Sequence, residues 1–568
     1  MKKLNKKLSA LLICLFFFIA NDSEAVTRGE TLHKVMEALS LPQWTGKSFS
    51  DVPQGHPYGK SIESAFAMGI LFPSDQFYPD LEASRAEALA FAFMAMGWTH
   101  TAKTLALYHD LPRDIPPYLA PYVVLAETAI PKAPDEFIKD PKAAVTEKDI
   151  KDLSLWLKAS YSRGITWNYK LEKSGLSLVM GKSGVGRPPQ EWIIAVGEKD
   201  NDQEANQLVK KLGSRGISAK AVRSDGTISV IAGPYGNYFQ AWLLSQVLPS
   251  PYRGAPVLPQ GGERKSLFWA AIKVPADRCF IATAPSIGAR NLPLSKIAEN
   301  SDSIGAINGG FFGSNRPIGT MVIDGIPVSP SYADRSAIGW NQRGQAFFGN
   351  GNFRLYGKNK RGQSFPISGV NQPIGEGALA LYTPHFGQFA TQVKGPGTEF
   401  ILKGGQIISQ RNAQGSNHFM GEDKLILLTK TSGPGPLADT TEIGLKIDWK
   451  DPYMSDADQV IQAGPMLIGT GPATTEGFSP SIINKRHPRT IVGWDGDSLW
   501  WIAVDGRSSW HSDGLTIPEA SKFARDLGLR LAVNMDGGGS TQLWWDGYTV
   551  NRPSDGRERP LPYGVIFR

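Results

Sequence analysis

Leu529-Arg530-Leu531-Ala532-Val533 runs directly into Asn534-Met535-Asp536-Gly537-Gly538-Gly539-Ser540-Thr541, and this stretch decides how the C-terminal half of the chain is read. A short apolar run that stops at polar residues and three glycines predicts a buried strand ending in a loop. Upstream, Thr516 to Leu527 has helical spacing: Thr516 and Glu519 form a capping box, and Ala520, Phe523, Ala524 and Leu527 form one apolar face. Before that helix, Trp500 to Val504 reads as another strand, ending in Asp505-Gly506-Arg507. The unit is strand–helix–strand, which brings two strand ends to one rim of a sheet. A third apolar run, Ile304 to Ile307, ends in Asn308-Gly309-Gly310-Phe311-Phe312. From Arg264 to Arg568 short β segments dominate, punctuated by Gly and Pro, so residues 264–568 are expected to form a mixed α/β domain.

These strand ends carry the residue types that chemistry needs. Glycines after a strand let backbone N–H groups approach a ligand or cradle an anion, which selects Gly309, Gly310 and Gly537, Gly538, Gly539. Asp505 and Asp536 are the candidate catalytic carboxylates. The amides of Asn308 and Asn534 both donate and accept, as sugar hydroxyls require, and Ser540 and Thr541 extend that polar edge. Arginine pairs bidentately with phosphate, so Arg335, Arg489, Arg507 and Arg552 are the candidate anion ligands.

In this order and over this length, Asn308 to Phe312, Ala463 to Leu467, His487-Pro488-Arg489-Thr490, Asp505-Gly506-Arg507, Asn534 to Thr541 and Asn551 to Arg559 resemble the phosphodiester glycosidase family. The resemblance to these uncovering-enzyme-like proteins implies a hydrolase that cuts between a sugar's C1 and a phosphate oxygen. In it Asp536 would act as base or nucleophile and Asp505 would orient the site or stabilise an oxocarbenium-like state. Arg489 and Arg507 would hold the phosphate, Asn308 and Asn534 the sugar, and the Gly537–Gly539 amides would add an anion nest.

Clustered Asp and Asn oxygens can hold Ca²⁺ or Mg²⁺, but EF-hand spacing is absent and no His pair points to zinc, so no cofactor and no obligatory catalytic metal are expected. The alternative is a non-catalytic protein that binds wall glycan, against which the two carboxylates count. A serine hydrolase would need a Gly-x-Ser-x-Gly elbow between strand and helix, which Ser540 does not provide.

The rest of the 568-residue chain predicts further domains. Thr27-Arg28-Gly29-Glu30 and Ser84-Arg85-Ala86-Glu87 open two helical runs about 60 residues apart, and Thr146-Glu147-Lys148-Asp149 opens a third without the Arg. Residues 26–155 thereby resemble helical S-layer homology repeats, which implies binding of a secondary cell-wall polymer through Arg28 and Arg85. Residues 156–190 read as a connector with a hairpin; Gly181-Lys182-Ser183 lacks the upstream glycine of a phosphate loop, having Leu176 there, and reads as a turn. Residues 191–248 alternate as strand, helix, strand, strand, helix and resemble a small α+β SPOR domain, which implies peptidoglycan binding. Residues 249–263, rich in Pro and Gly, read as a linker.

At the N-terminus, Lys2, Lys3, Lys6 and Lys7 precede the apolar run Leu11 to Ala20, and Ser23-Glu24-Ala25 offers a cleavage site, so residues 1–25 are expected to be a signal peptide and the product secreted to the cell envelope. Cys14 lies inside that run, leaving Cys279 alone in the mature chain and excluding an intramolecular disulfide. The net charge of +7 becomes +5 after cleavage, which suits an anionic wall polymer but is too small for a nucleic-acid partner, and no further stretch is apolar enough to span a membrane.

Overall fold

A computed structural model describes residues 25–568 apart from 47–48, 72–73, 188, 190, 200, 225–226, 261–265, 286, 289, 373–374, 376–377, 388–396, 413–424, 430–436, 438–439 and 470–474. The expected signal peptide, with Cys14, lies outside the described residues except for Ala25. No helix among the described residues is long and apolar enough to cross a membrane. The chain is multidomain and mixed α/β.

The three repeat starts form helices Arg28–Ala38, Arg85–Ala95 and Glu147–Arg163, capped by Thr27, Ser84 and Thr146. Their caps meet through single β-bridges, Ala25 with Thr146, Thr27 with Glu82, and Ser84 with Ala144. Each arginine reaches the capping acid of the next repeat: Arg28 pairs with Glu87, and Arg85 Nε lies 3.1 Å from Asp149 Oδ2. Arg85 also donates to the Glu136 carbonyl, while Arg28 packs on Phe77 and Phe91. The expected wall-binding arginines thus staple one repeat to the next, a job the third repeat can do without because no fourth follows.

The boundary expected at residue 155 falls inside helix Glu147–Arg163, and the expected connector is structural. Thr166–Lys173 and Leu176–Ser183 form a hairpin whose second strand pairs with Leu267–Val274, from Ser177 opposite Lys273 to Ser183 opposite Leu267. It becomes the edge of a seven-stranded sheet that continues through Leu267–Val274, Leu499–Val504, Arg489–Trp494, Leu531–Asn534 and Met466–Ile468. Lys182, expected in a turn, sits within that hairpin strand, 1% exposed.

One face of this sheet packs against the five-stranded sheet holding Gly305–Asn308, Leu543–Trp545 and Tyr563–Phe567, with Ile272, Val492 and Trp501 meeting Ile307, Trp545 and Phe567 in a common core. Its other face is covered by helix Ile517–Asp526, whose Ala520 and Ala524 pack on Trp269, Ile491 and Ile502. Thr516 and Glu519 form the expected capping box. Smaller sheets between residues 321 and 462, antiparallel except where Gly369–Val370 pairs parallel with Leu379–Tyr382, complete the large domain.

The small module is a four-stranded antiparallel sheet, Ala219–Ser224, Thr227–Tyr235, Glu191–Lys199 and Val257–Gln260 in that order, with helices Asp202–Gly213 and Tyr238–Gln246. Residues 257–260, expected in the linker, are its edge strand, with Glu191 opposite Gln260 and Ile194 opposite Val257. Trp192, Ile194 and Val196 point into its own core, so by alternation Ile193 and Ala195 lie on the opposite face.

The helical repeats are docked on the large domain. Tyr108 donates to the Trp545 carbonyl at 3.1 Å and Trp98 to the Gly184 carbonyl at 3.0 Å. The Trp510 carbonyl lies between Gly97 and Gly186, and a Cβ at Gly186 would sit 1.8 Å from it. We expect Gly186→Ala to destabilise the protein by about 1–3 kcal/mol, the usual cost of overpacking, read as a lower denaturant midpoint. An unchanged midpoint would show that this contact yields freely.

Candidate active site

Strands Leu499–Val504 and Leu531–Asn534 are both antiparallel to Arg489–Trp494, which lies between them, so the ends of the first two and the start of the third share one rim. Asp505, Asn534, Asp536 and the His487–Thr490 segment therefore meet there. Asn308 joins them from the second sheet: its amide donates to the Asp536 carbonyl at 2.9 Å, and its Oδ1 accepts from the Thr490 hydroxyl at 2.8 Å.

Several residues expected to touch substrate are committed inside the protein. Asn308 Oδ1 also accepts from the Gln542 N–H at 3.1 Å, so this amide is a buried strut between sheets rather than a sugar ligand. Asn534 donates to the carbonyls of Gly464 and Met535 at 3.0 and 2.8 Å, leaving its buried Oδ1 without a hydrogen-bond partner. Arg489, 3% exposed, donates to the carbonyls of Leu515, Ile482 and Lys485 at 2.8, 2.7 and 3.0 Å. It therefore holds the backbone around residues 482–485 and 515.

Asp505 is likewise saturated. Its Oδ2 meets His511 Nε2 at 2.8 Å and the Arg552 N–H at 2.9 Å, and its Oδ1 accepts from Asn551 at 2.9 Å. Burial raises its carboxyl above the usual range, against the opposing pull of His100 and the Arg552 N–H. Its bonds to Asn551 and the Arg552 N–H position the 551–552 turn. The Arg552 guanidinium stays beside Asp505, its proton affinity lowered by burial.

The glycines serve packing. A Cβ at Gly309 would lie 2.2 Å from the Tyr563 ring, and one at Gly539 would lie 2.0 Å from Asp555 Oδ2. Gly538 N–H donates to the Pro488 carbonyl at 3.0 Å, and the Ser540 and Thr541 N–H groups close the same tight turn onto Gly537 and Gly538. Of the expected anion nest, the Gly538 amide is thus bonded within the protein. Gly310 lies against the Tyr563 hydroxyl, and Ser540 accepts from Arg559 at 3.4 Å. Thr541 is bonded to Thr490 through their hydroxyls and to Asn551 through its carbonyl.

Asp536 follows the strand, is 8% exposed, and its charge acts on Arg559 and Tyr563. Arg559 is 2.9 Å from Asp555 and 3.4 Å from Glu198, a residue of the small module. Burial pushes Glu198 up to about 7, with Arg559 opposing and Asp555 reinforcing. Arg507, in the left-handed region at φ 60, turns its guanidinium toward Ser554 and His487. Arg335 stands apart from these, stacked on Phe478 at 4.1 Å and near Phe311 and Tyr332, with its Nε buried and lacking a hydrogen-bond partner.

Sequence reading missed His100, His511 and Glu198, because each joins the site only through tertiary packing, and it marked Asn551 to Arg559 as a family-like stretch without giving Asn551 or Arg559 a role. His100, Asp505 and His511 offer ligand atoms within 4.8 Å of one another. A dication fits poorly here: Lys182 and Arg552 both act on His511, and Asp505 already takes three donors. Burial, then His511, pushes His100 down to about 3, and burial with Lys182 and Arg552 holds His511 well below its ordinary value. Both histidines bind protons more tightly when unfolded, so their contribution to stability is lost as pH falls from 6.5 toward about 3. The raised carboxyl of Asp505 acts in the opposite sense at the acid end. We expect melting temperature to fall across that window and to fall less in His511→Gln; parallel curves would remove the histidine as a cause.

Residues 385–568 match the family model of phosphodiester glycosidases, a span that holds Arg489, Asp505, Arg507, Asp536 and Arg552 but not Asn308 or Arg335. Among curated proteins, the SPbeta prophage-derived uncharacterized protein YomE of Bacillus subtilis (strain 168) is 37% identical over 116 residues, which cover 19% of this chain and 18% of that protein. The match thus spans less than a fifth of that relative's length. Among solved structures the chain is similar to a putative exported protein of Burkholderia pseudomallei K96243, with 18% identity and a TM-score of 0.49 over 71% of this chain and 96% of that one. It is also similar to the zebrafish N-acetylglucosamine-1-phosphodiester alpha-N-acetylglucosaminidase catalytic domain auto-inhibited by pro-peptide, at 16% identity and a TM-score of 0.29, over 53% and 77% of the two chains.

Proposed function

We propose that this protein hydrolyses a sugar-1-phosphodiester, with Asp536 as the catalytic carboxylate. The observation that carries the reading is the placement of Asp536 at a strand end, its backbone pinned by Asn308 and its charge facing Arg559, within the stretch that matches the phosphodiester glycosidases. Asp536 takes a proton from water as the water oxygen bonds to C1; the C1–O bond breaks and its electron pair stays on the phosphate oxygen. The phosphate monoester that departs is a far better leaving group than a sugar alkoxide, so stabilising its charge matters more than protonating it.

The chain acts at the cell envelope in this reading, exported by its N-terminal segment and held on peptidoglycan or a secondary wall polymer by the helical repeats and the small module. Arg28 borders a cavity of about 650 Å³ with Phe77, Phe91 and Tyr118, which suits a glycan despite its pairing with Glu87. The direct test offers the full chain UDP-GlcNAc and a GlcNAc-1-phosphodiester and follows free sugar. Release supports the reaction class. Absence of release from both, with retained binding to purified sacculi, replaces it with a non-catalytic wall-glycan binder.

A further inference from the structure

The small module faces the large domain across a cavity of about 630 Å³. One wall is the helix-free face of its sheet, carrying Ile193, Ala195, Val222 and Ile231. The opposite wall comes from the rim around the candidate site and carries Lys485, His487, Arg507 and Arg557. Arg486 on that wall is bonded to Glu519 on helix Ile517–Asp526. Lys485 and Arg557 form no ion pair among the described residues, so their charges are available to a ligand.

The cavity is linked to Asp536 through Arg559, on which the Asp536 charge acts. Glu198 and Asp555 line it, both pair with Arg559, and Arg559 and Asp555 pack against Gly539 in the turn that follows Asp536. Aliphatic carbons on one side and cations on the other suit one ligand class: a sugar or nucleoside whose apolar face packs on Ile193 and Ile231 while its phosphate meets Lys485, Arg507 and Arg557.

We propose that this inter-module cavity is the subsite for the phosphate-bearing half of the substrate, so that the small module builds the cleft as well as any wall contact. The assignment rests on the sugar-1-phosphodiester reading for its place in the reaction. Negative charge grows on the phosphate as the C1–O bond breaks, and cations fixed on that side stabilise the product more than the substrate. The module contributes shape and the Glu198 link to Arg559; it is a specificity element, not a catalytic one.

The test measures binding of UDP, a phosphate-side product, to the full chain by calorimetry, comparing the parent with Arg557→Gln and Ile193→Trp. The first removes a charge from one wall, and the second fills the cavity from the other. Each is expected to weaken UDP about tenfold or more, the loss that follows removal of a charged hydrogen bond, with melting temperature unchanged. In sugar release from UDP-GlcNAc, Ile193→Trp raises KM by a similar factor, and Arg557→Gln lowers kcat/KM by a similar factor, part of it in kcat because the charge it meets grows as the bond breaks. UDP binding that is absent from the parent, or equal in all three proteins, overturns the proposal. A parent that binds UDP in the cavity but releases no sugar keeps the subsite and overturns the reaction.

Discussion

Asp536→Asn is expected to lower sugar release by orders of magnitude while melting temperature and circular dichroism stay those of the parent. The carboxylate is placed by its backbone: the strand ends at Asn534, Asn308 holds the Asp536 carbonyl, and Gly538 N–H is tied to the Pro488 carbonyl. None of these bonds uses the side chain, so an isosteric amide keeps them while removing the base and its charge beside Arg559. Removing a general base costs roughly 10²–10⁴-fold, and kcat should fall by that much with KM little changed. Asp505→Asn should behave differently. Asp505 accepts from His511, Asn551 and the Arg552 N–H, and an amide would point an N–H at one of these donors. We expect a lower melting temperature as the first effect, with activity lost in proportion to folded protein. If Asp505→Asn instead melts normally and is dead, the two carboxylates exchange roles; if Asp536→Asn stays active, Asp536 leaves the mechanism.

A fragment of residues 264–568 is expected not to fold stably, although sequence reading makes it a whole domain. It lacks the hairpin that forms the edge of the seven-stranded sheet, leaving the Leu267–Val274 strand with an unpaired backbone. An exposed apolar edge of this kind recruits other chains. The hairpin strand also brings Leu176, Leu178 and Met180, each 0% exposed. At roughly 1.5–3 kcal/mol for each buried side chain, their loss is comparable with the whole stability of a typical domain, about 5–15 kcal/mol. We expect the fragment to be insoluble or to melt without a cooperative transition, and restoring residues 164–263 to recover one. A soluble 264–568 fragment with a sharp transition would show that the hairpin is dispensable.

Local pattern was enough wherever an element is defined by its own residues. The helix capped by Thr516 and Glu519, the strands that end at Val504 and Asn534, and the capped helices after Thr27, Ser84 and Thr146 are all legible from period and caps, because a helix start or a half-buried strand needs only near neighbours. The residue types around the rim were legible too, but not their occupations. Whether Arg489 meets a phosphate or three carbonyls, and whether Asn308 meets a sugar or Thr490, depends on atoms far away in the chain. His100 lies 411 positions before His511, Glu198 361 before Arg559, and the hairpin 84 before its nearest sheet partners. No spacing rule encodes such meetings. They arise when buried surfaces pack, and a polar group then takes whichever partner burial leaves within reach.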